Sequence, residues 1–276
     1  MAIQRFSEKK LTAEVIKRMR KTRNKRLKQV MTSFVKHMHA FVREVKPTPE
    51  EWMQGIQFLV ETGHWSTDKR AEFILMSDTL GVSMLVDALN YRAGSGATQS
   101  TVLGPFHREQ APEYPLGANI SKHASDGEPC VVSGTVKDAK GKPIANAKLD
   151  IWEGGADGFY DSQKGDEMNL RGVFRTDAQG RFHFRCVTPS FYPVPNDGPV
   201  GRMLVATGRH PMRPPHLHFW ITASGYKPLI THLFVKGGKY LDSDAVFGVK
   251  PELIVDFRKG KAGVAAAHYD FVLMRK

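Results

Sequence analysis

Glycine and proline interrupt the chain at short intervals from residue 97 onward, and this spacing limits the folds that the region can adopt. The interruptions recur every 8 to 12 positions, and turn sequences such as DAKGKP and DAQGR separate runs that favour β-structure. Short β-rich runs at such a spacing are typical of an all-β sandwich. The runs are CVVSGTVKD, AKLDIWE, GVFRTD, RFHFRCV, MLVATG, LHFWITA, LITHLFV and HYDFVLM.

The first 95 residues show the spacing of helices. Apolar residues at three- and four-residue steps predict one long helix over 8–46. Thr48-Pro49-Glu50-Glu51 has the pattern of a helix start, and further helices are predicted over 49–62, 68–80 and 82–91, before Gly94-Ser95-Gly96 ends the pattern. The predicted fold is therefore α+β and mainly β, with a helical domain at 1–96 and a β-sandwich domain at 97–276.

Positive charge is concentrated at the N-terminus. Residues 1–46 hold 14 Lys/Arg and 3 Asp/Glu, whereas the other 230 residues hold 26 and 25. Such a segment indicates either an anionic partner, such as nucleic acid or a membrane surface, or a solvated basic helix face. The sequence has no helix-turn-helix, zinc-finger or RNP spacing, so we favour the solvated face and expect no nucleic-acid partner.

The remaining composition is that of an ordinary globular protein. Hydrophobic residues make up 41%, and no apolar run is long enough to predict a membrane span. The N-terminal residues lack the apolar stretch of a signal peptide. The only cysteines are Cys130 and Cys186, which argues against a disulfide framework, and Cys186 is expected to be a buried thiol. A cytoplasmic location is the expectation.

A histidine pair is the first candidate metal site. His216 and His218 lie two residues apart in a β-rich run, so both side chains are expected on one face of a strand. Two imidazoles on one face can bind one metal ion. The pair alone does not distinguish a structural pair from a zinc site or from another metal centre.

Two tyrosines extend this candidate site. Tyr160 and Tyr192 lie in turn-rich segments, DGFYDSQ and PSFYPVPNDGPVG, from which a side chain can reach a cleft. A lone tyrosine in such a place is usually an ordinary core or surface aromatic. Together with two histidines, however, two phenol oxygens favour a hard, highly charged ion such as Fe³⁺, which can keep phenols deprotonated at neutral pH.

Five separated segments resemble the intradiol ring-cleavage dioxygenases, in the order found in that family. They are LDIWEGGADGFYD, LRGVFRTDAQGRF, PSFYPVPNDGPVG, GRHPMRPPHLHFWI and GGKYLDSDAVFGVK. The likeness covers nearly the whole chain, and TVLGPF and YLDSDAVFGVK resemble the hydroxyquinol-cleaving branch more than the catechol branch.

This resemblance implies a non-haem Fe³⁺ enzyme that uses O₂ to cleave the ring of a vicinal diol. By the family pattern, Tyr160, Tyr192, His216 and His218 are the metal ligands, and Tyr192 gives way to the substrate. Arg213 matches the family's active-site arginine, which stabilises negative charge on the substrate. His232 stands where many catechol-cleaving members have glutamine, which leaves open whether it supports the site or fills the core.

The resemblance also maps a substrate pocket onto Leu75, Asp78, Val102, Pro105, Phe106 and Val246. A carboxylate facing an aromatic pocket is costly without a partner, and a third ring hydroxyl would be a suitable donor to Asp78. We therefore expect cleavage of 1,2,4-trihydroxybenzene (hydroxyquinol) to 3-hydroxy-cis,cis-muconate, the tautomer of maleylacetate. The alternative interpretation makes Asp78 an ordinary helix residue.

Three other interpretations stay open at this point. Catechol or chlorocatechol is the alternative substrate of the same chemistry. A zinc hydrolase would use the histidine pair alone, and a non-enzymatic β-sandwich binding protein would leave the four residues without a common role. The resemblance further implies a homodimer formed through the N-terminal helices, with a phospholipid bound among them.

Overall fold

The computed structural model describes residues 7–67, 70–91, 96–260 and 263–276. The described residues form six α-helices and twelve strands; five of the helices precede the strands, as predicted, and the sixth lies between β5 and β6. The helices are α1 (Glu8–Arg18), α2 (Lys25–Val45), α3 (Pro49–Trp65), α4 (Glu72–Thr79), α5 (Val82–Asn90) and α6 (Pro199–Ala206). The strands are β1 (Pro129–Asp138), β2 (Lys148–Trp152), β3 (Arg171–Arg175), β4 (Arg181–Val187), β5 (Tyr192–Pro193), β6 (Met212–Arg213), β7 (His216–Thr222), β8 (Leu229–Val235), β9 (Ile254–Val255), β10 (Arg258–Lys259), β11 (Ala265–His268) and β12 (Phe271–Leu273).

The helical region has one more break than the sequence predicts. The single helix expected over 8–46 is wrong, because α1 ends at Arg18 and α2 begins after Asn24. The Asn24 side chain accepts a hydrogen bond from the backbone N–H of Leu27 at 2.9 Å and so starts a new helix. The break lies between Met19 and Leu27, two successive apolar residues of the predicted helix that are eight positions apart.

Helix α3 begins as its sequence predicts but ends later. The Thr48 backbone N–H donates to the Glu51 carboxylate at 2.8 Å, and the Glu51 N–H donates to Thr48 Oγ1 at 3.2 Å, which is a capping box. The helix continues through Gly63 to Trp65. The predicted start of the third helix at residue 68 and the break at residues 94–95 lie outside the described residues.

Two five-stranded sheets form the sandwich. One has the order β10-β11-β1-β12, with β4 also paired to β1, and the other has the order β3-β2-β7-β8-β9. A buried core with residues from both sheets, such as Phe184 and Phe219, lies between them. A separate two-stranded ribbon pairs β5 with β6 and carries Tyr192 opposite Arg213.

The segment MLVATG is helical, so its predicted strand is wrong. Pro199 occupies the first turn of α6, and Val200 and Leu204, one turn apart, are both buried in a cluster with Leu75, Val102 and Val246. Val205 is 76% exposed, as expected for the opposite face of a short helix. Burial of one helical face therefore outweighs the β-propensity of this segment.

The chain divides into two compact units, and the boundary lies between Val60 and Glu61. The first unit contains α1, α2 and most of α3. The second contains the remaining helices and both sheets. No described helix has the length and apolar character needed to cross a membrane.

Candidate metal centre and substrate cavity

Strand β7 places the two histidines on one face, as predicted. His216 and His218 are both buried, and their Nε2 atoms lie 3.1 Å apart. The Nδ1 atom of His216 donates to the Pro214 carbonyl at 2.7 Å, because a carbonyl can only accept. Its Nε2 atom therefore directs a lone pair toward His218 and the space between the two rings.

The two tyrosines converge on the same point from different segments. Tyr160 precedes the 3₁₀ turn Asp161–Gln163, and Tyr192 begins β5. The two hydroxyls lie 3.0 Å apart, Tyr160 Oη lies 2.8 Å from His218 Nε2, and Tyr192 Oη lies 3.4 Å from His216 Nε2. Four atoms that can ligate a metal thus form a closed ring in which each contacts two others, although Tyr160 and His218 are 58 positions apart along the chain.

Burial sets the protonation of these four groups in the absence of a cation. It lowers the pKa of His216 and His218 well below the usual range, so both imidazoles are neutral and able to bind a metal. It raises the pKa of Tyr160 and Tyr192, while the positive charge of Arg213 acts in the opposite direction on both. The phenols therefore need a strong positive charge to become ligands, and this donor set fits a highly charged metal ion.

Arg213 supplies a fixed positive charge beside the cluster. Its Nη1 atom lies 3.1 Å from His216 Nε2 and 3.4 Å from Tyr192 Oη. Burial opposes the guanidinium charge, but Asp244, Tyr192 and Tyr160 together outweigh burial and raise the pKa of Arg213 above its ordinary value. The Asp244 carboxylate accepts from Nε at 3.0 Å and from Nη2 at 3.2 Å, so the guanidinium has a single orientation.

A buried ion pair fixes the position of Tyr160. Asp161, the next residue, forms a two-pronged ion pair with Arg171 on β3. Arg171 also donates to the Phe106 carbonyl at 3.1 Å, and the Phe106 ring stacks on Tyr160 with 4.3 Å between ring centroids. Phe106 therefore supports a candidate ligand directly.

Sequence reasoning did not assign roles to Asp244, Asp161 or Arg171. All three residues lie inside the segments that carry the family resemblance; Asp161 is buried beside Arg171, ten positions away, and Asp244 is buried beside Arg213, 31 positions away. Their position within those segments was the available signal.

A cavity of about 940 Å³ lies in the second unit. Asp78, Val102 and Pro105 are among the residues that line it, as mapped from the sequence. Leu75 and Val246 pack against Val102 in one buried cluster, and so support this wall. Gly104 lines the cavity and also lies next to His218, because a Cβ added at this residue would lie 3.3 Å from His218 Cε1.

Asp78 is a buried carboxylate in the cavity wall. Burial raises its pKa to about 6, although a hydrogen bond from Ser83 and the charge of Arg213 act in the opposite direction. At neutral pH the group is therefore mostly ionised, at a free-energy cost that a hydroxyl donor from a bound molecule would offset.

His232 lies against both histidines of β7. Its ring centroid is 4.2 Å from that of His218 and 4.7 Å from that of His216. The three histidines offer ring nitrogens within 4.8 Å of one another. They therefore form an alternative nitrogen-only set, although the tyrosine and histidine atoms described above lie closer together.

Comparison with known proteins identifies the class. Residues 102–275 match the family described as Dioxygenase, and residues 24–98 match the catechol dioxygenase N terminus. The chain is 51% identical to a 6-chlorohydroxyquinol 1,2-dioxygenase of Cupriavidus pinatubonensis, over 98% of this chain and 99% of the relative. It is 50% identical to a hydroxyquinol 1,2-dioxygenase of Rhizobium sp., over 92% and 87% of the two chains.

A solved structure shows the same likeness in three dimensions. The hydroxyquinol 1,2-dioxygenase of Pseudomonas putida DLL-E4 superposes with a TM-score of 0.89 at 44% identity, over 98% of this chain and 99% of the other. The chain therefore belongs to the intradiol ring-cleavage dioxygenases. It is an enzyme, which confirms the expected fold and reaction class and excludes a non-enzymatic β-sandwich.

Proposed function

We propose that this enzyme binds Fe³⁺ through Tyr160, Tyr192, His216 and His218 and cleaves hydroxyquinol between its two adjacent hydroxylated carbons. The contact of two phenol oxygens with two imidazole nitrogens in a buried site carries the iron assignment. The buried Asp78 carboxylate in the cavity wall carries the choice of a triol. Relatives named for hydroxyquinol or its chlorinated form support this choice.

The residues of the chain have separate tasks in this reaction. When bound, Fe³⁺ would keep the two phenols ionised and withdraw charge from the bound diol, which makes the ring reactive toward O₂. When the metal ion does not hold it, the Tyr192 phenolate would be suited to accept one proton from the incoming diol, because burial raises the pKa of this phenol more than the charge of Arg213 lowers it. Arg213 then stabilises negative charge that develops on the substrate oxygens.

Asp78 would select the substrate at the other end of the ring. As a carboxylate it accepts a hydrogen bond from the third hydroxyl, which catechol lacks. Both atoms of O₂ enter the product, 3-hydroxy-cis,cis-muconate, whose two new carboxyl groups derive from the hydroxylated carbons. The enol of this product tautomerises to the ketone of maleylacetate.

The first experiment measures O₂ uptake by iron-loaded protein with hydroxyquinol, with catechol and with a chlorocatechol, and includes a no-enzyme control because hydroxyquinol autoxidises. We expect faster uptake with hydroxyquinol. Faster uptake with catechol or a chlorocatechol would overturn the choice of substrate, while no uptake with any diol would overturn the proposed reaction.

Variants of Asp78 test the origin of this selectivity. Asp78→Asn should lower the ratio of kcat/KM for hydroxyquinol to kcat/KM for catechol by about 10- to 100-fold. This fold-change corresponds to the free energy of a hydrogen bond to a charged group. Asp87→Asn is the matched control, because Asp87 lines the same cavity but is already paired with Lys250 at 2.9 Å. An equal loss with both diols would show that Asp78 does not select the substrate.

The identity of the metal is tested by iron content and colour. Tyrosinate bound to Fe³⁺ absorbs visible light, whereas a three-histidine zinc site would be colourless. We expect a visible band that weakens in Tyr160→Phe and is unchanged in Tyr226→Phe, since Tyr226 lies outside the cluster and pairs with Arg275. Stoichiometric zinc in a colourless, active protein would favour the zinc interpretation.

We also infer a homodimer formed through the N-terminal helices, with a phospholipid among them. The apolar residues of α2 support this, because Phe34 and Phe41 are each more than half exposed beside many basic residues. Light scattering should give twice the chain mass, and lipid extraction followed by mass spectrometry should give stoichiometric phospholipid. A monomer would refute the homodimer, and a dimer without lipid would refute the bound phospholipid.

The free thiols of Cys130 and Cys186 support a cytoplasmic location, which fractionation of the source cells would test.

A further inference from the structure

A row of aromatic rings crosses three neighbouring strands beside the four donor atoms. Trp152 on β2 is in register with His218 on β7, and His218 is in register with His232 on β8. The Trp152 and His218 rings lie 4.7 Å apart between centroids and 15° from parallel, so they stack face to face. His232 meets the same histidine edge-on, at 80°.

His218 lacks the hydrogen bond that usually orients a metal-binding histidine. Such a histidine almost always donates its second ring nitrogen to a carboxylate, a carbonyl or water, which fixes the ring. His216 follows this rule through Pro214, but the buried Nδ1 atom of His218 has no hydrogen-bond partner among the described residues. Packing against neighbouring side chains must therefore orient the His218 ring, as the hydrogen bond to Pro214 orients the His216 ring.

Trp152 is placed to provide that packing. It is completely buried, and the pairing of β2 with both β3 and β7 fixes its backbone. The His107 ring packs edge-to-face against the indole at 4.9 Å, and His107 is itself held by Asp150 at 3.3 Å. A flat, immobile surface thus lies against one face of His218.

We propose that Trp152 is a positioning residue that orients His218 for metal binding by stacking, in place of a hydrogen bond to Nδ1. This inference rests on the proposed role of His218 as a ligand. It assigns to the LDIW segment a function in the metal site rather than in the core alone. Loss of the indole should weaken metal binding by about 10- to 100-fold, as does loss of a supporting hydrogen bond.

Three variants separate ring stacking from packing. Trp152→Phe keeps an aromatic face and should bind Fe³⁺ almost as tightly as the wild type. Trp152→Met fills part of the space without a ring and should show the full loss. Trp220→Met is the matched control, because Trp220 on β7 packs against the same His107 ring but does not stack on His218 in the described part of the chain.

Two properties are measured for each variant: the Fe³⁺ affinity, by competition with a chelator, and the position of the visible tyrosinate band. Thermal unfolding of the metal-free protein shows whether each variant is folded. Loss of affinity and a shifted band in Trp152→Met, with recovery in Trp152→Phe, would support the proposal. Unchanged affinity in Trp152→Met, equal losses in both Trp152 variants, or the same loss in Trp220→Met would overturn it.

A measurement on the wild type avoids any dependence on whether a variant folds. In metal-free protein, NMR of chains labelled at histidine and tryptophan should show the His218 ring protons shifted upfield by the indole ring current, together with a nuclear Overhauser contact between the His218 and Trp152 rings. Absence of this shift would overturn the stacking. Wild-type protein that shows the shift but binds no Fe³⁺ would instead refute the proposed metal centre.

Discussion

Replacing Asp244 with asparagine removes the negative charge that balances the buried Arg213 guanidinium. Each carboxylate oxygen accepts two hydrogen bonds. Oδ1 accepts from Arg213 Nε at 3.0 Å and from the Val246 backbone N–H at 3.3 Å, and Oδ2 accepts from Arg213 Nη2 at 3.2 Å and from the Gly248 N–H at 2.9 Å. Whichever way the asparagine amide turns, its NH₂ group faces two donors that it cannot satisfy.

The expected cost follows from this arrangement. Breaking a buried ion pair by removing one partner costs about 3–5 kcal/mol, and the remaining amide oxygen should keep Asp244→Asn near the lower value. For a unit of this size, about 3 kcal/mol corresponds to a fall in Tm of roughly 6–12 °C. Displacement of Arg213 from Tyr192 and His216 should also reduce kcat/KM by about 100-fold or more.

The assay is thermal unfolding of metal-free protein, because a bound metal would add its own stabilisation. Asp242→Asn is the control, since Asp242 lies two residues away on the surface and its carboxylate accepts a hydrogen bond from the Ser243 hydroxyl. Surface changes of this kind usually alter stability by less than about 0.5 kcal/mol. If Asp244→Asn unfolds at the same temperature as Asp242→Asn, the buried Asp244 carboxylate and its four hydrogen bonds do not stabilise the fold as proposed.

Two further outcomes follow from burial. The folded-state pKa of Asp78 is about 6, above an unfolded value near 3.9, so the folded protein favours the protonated form and loses that stability as pH rises through 6. At pH 8, Asp78→Asn should therefore have a free energy of unfolding about 2–3 kcal/mol higher than that of the wild type, and this difference should disappear toward pH 4. Chemical unfolding at the two pH values measures it, and an equal difference at both would contradict the raised pKa of Asp78. Cys130 and Cys186 are buried and form no disulfide, so a thiol reagent should label neither in the native protein and both after denaturation. Rapid labelling of the native protein would disprove their burial.

The pattern of the sequence predicted those features that depend on neighbours along the chain. The period of two in β7 predicted that His216 and His218 share a face, and the Thr48–Glu51 pair predicted the start of α3. The sandwich also followed from the spacing of turns. The convergence of Tyr160 and Tyr192 on the histidines came from family resemblance, because residue spacing alone does not bring such distant segments together.

Contacts between distant residues could not be predicted from the sequence and depend on the tertiary structure. MLVATG forms a helix because Val200 and Leu204 bury one face against residues from other parts of the chain. Asp244 meets Arg213 across 31 positions, and Trp152 meets His218 through strand register across 66. Periodicity is a local property, whereas the pairing of a buried charge and the orientation of a ring depend on which segments fold together, and this is set by the packing of the whole unit.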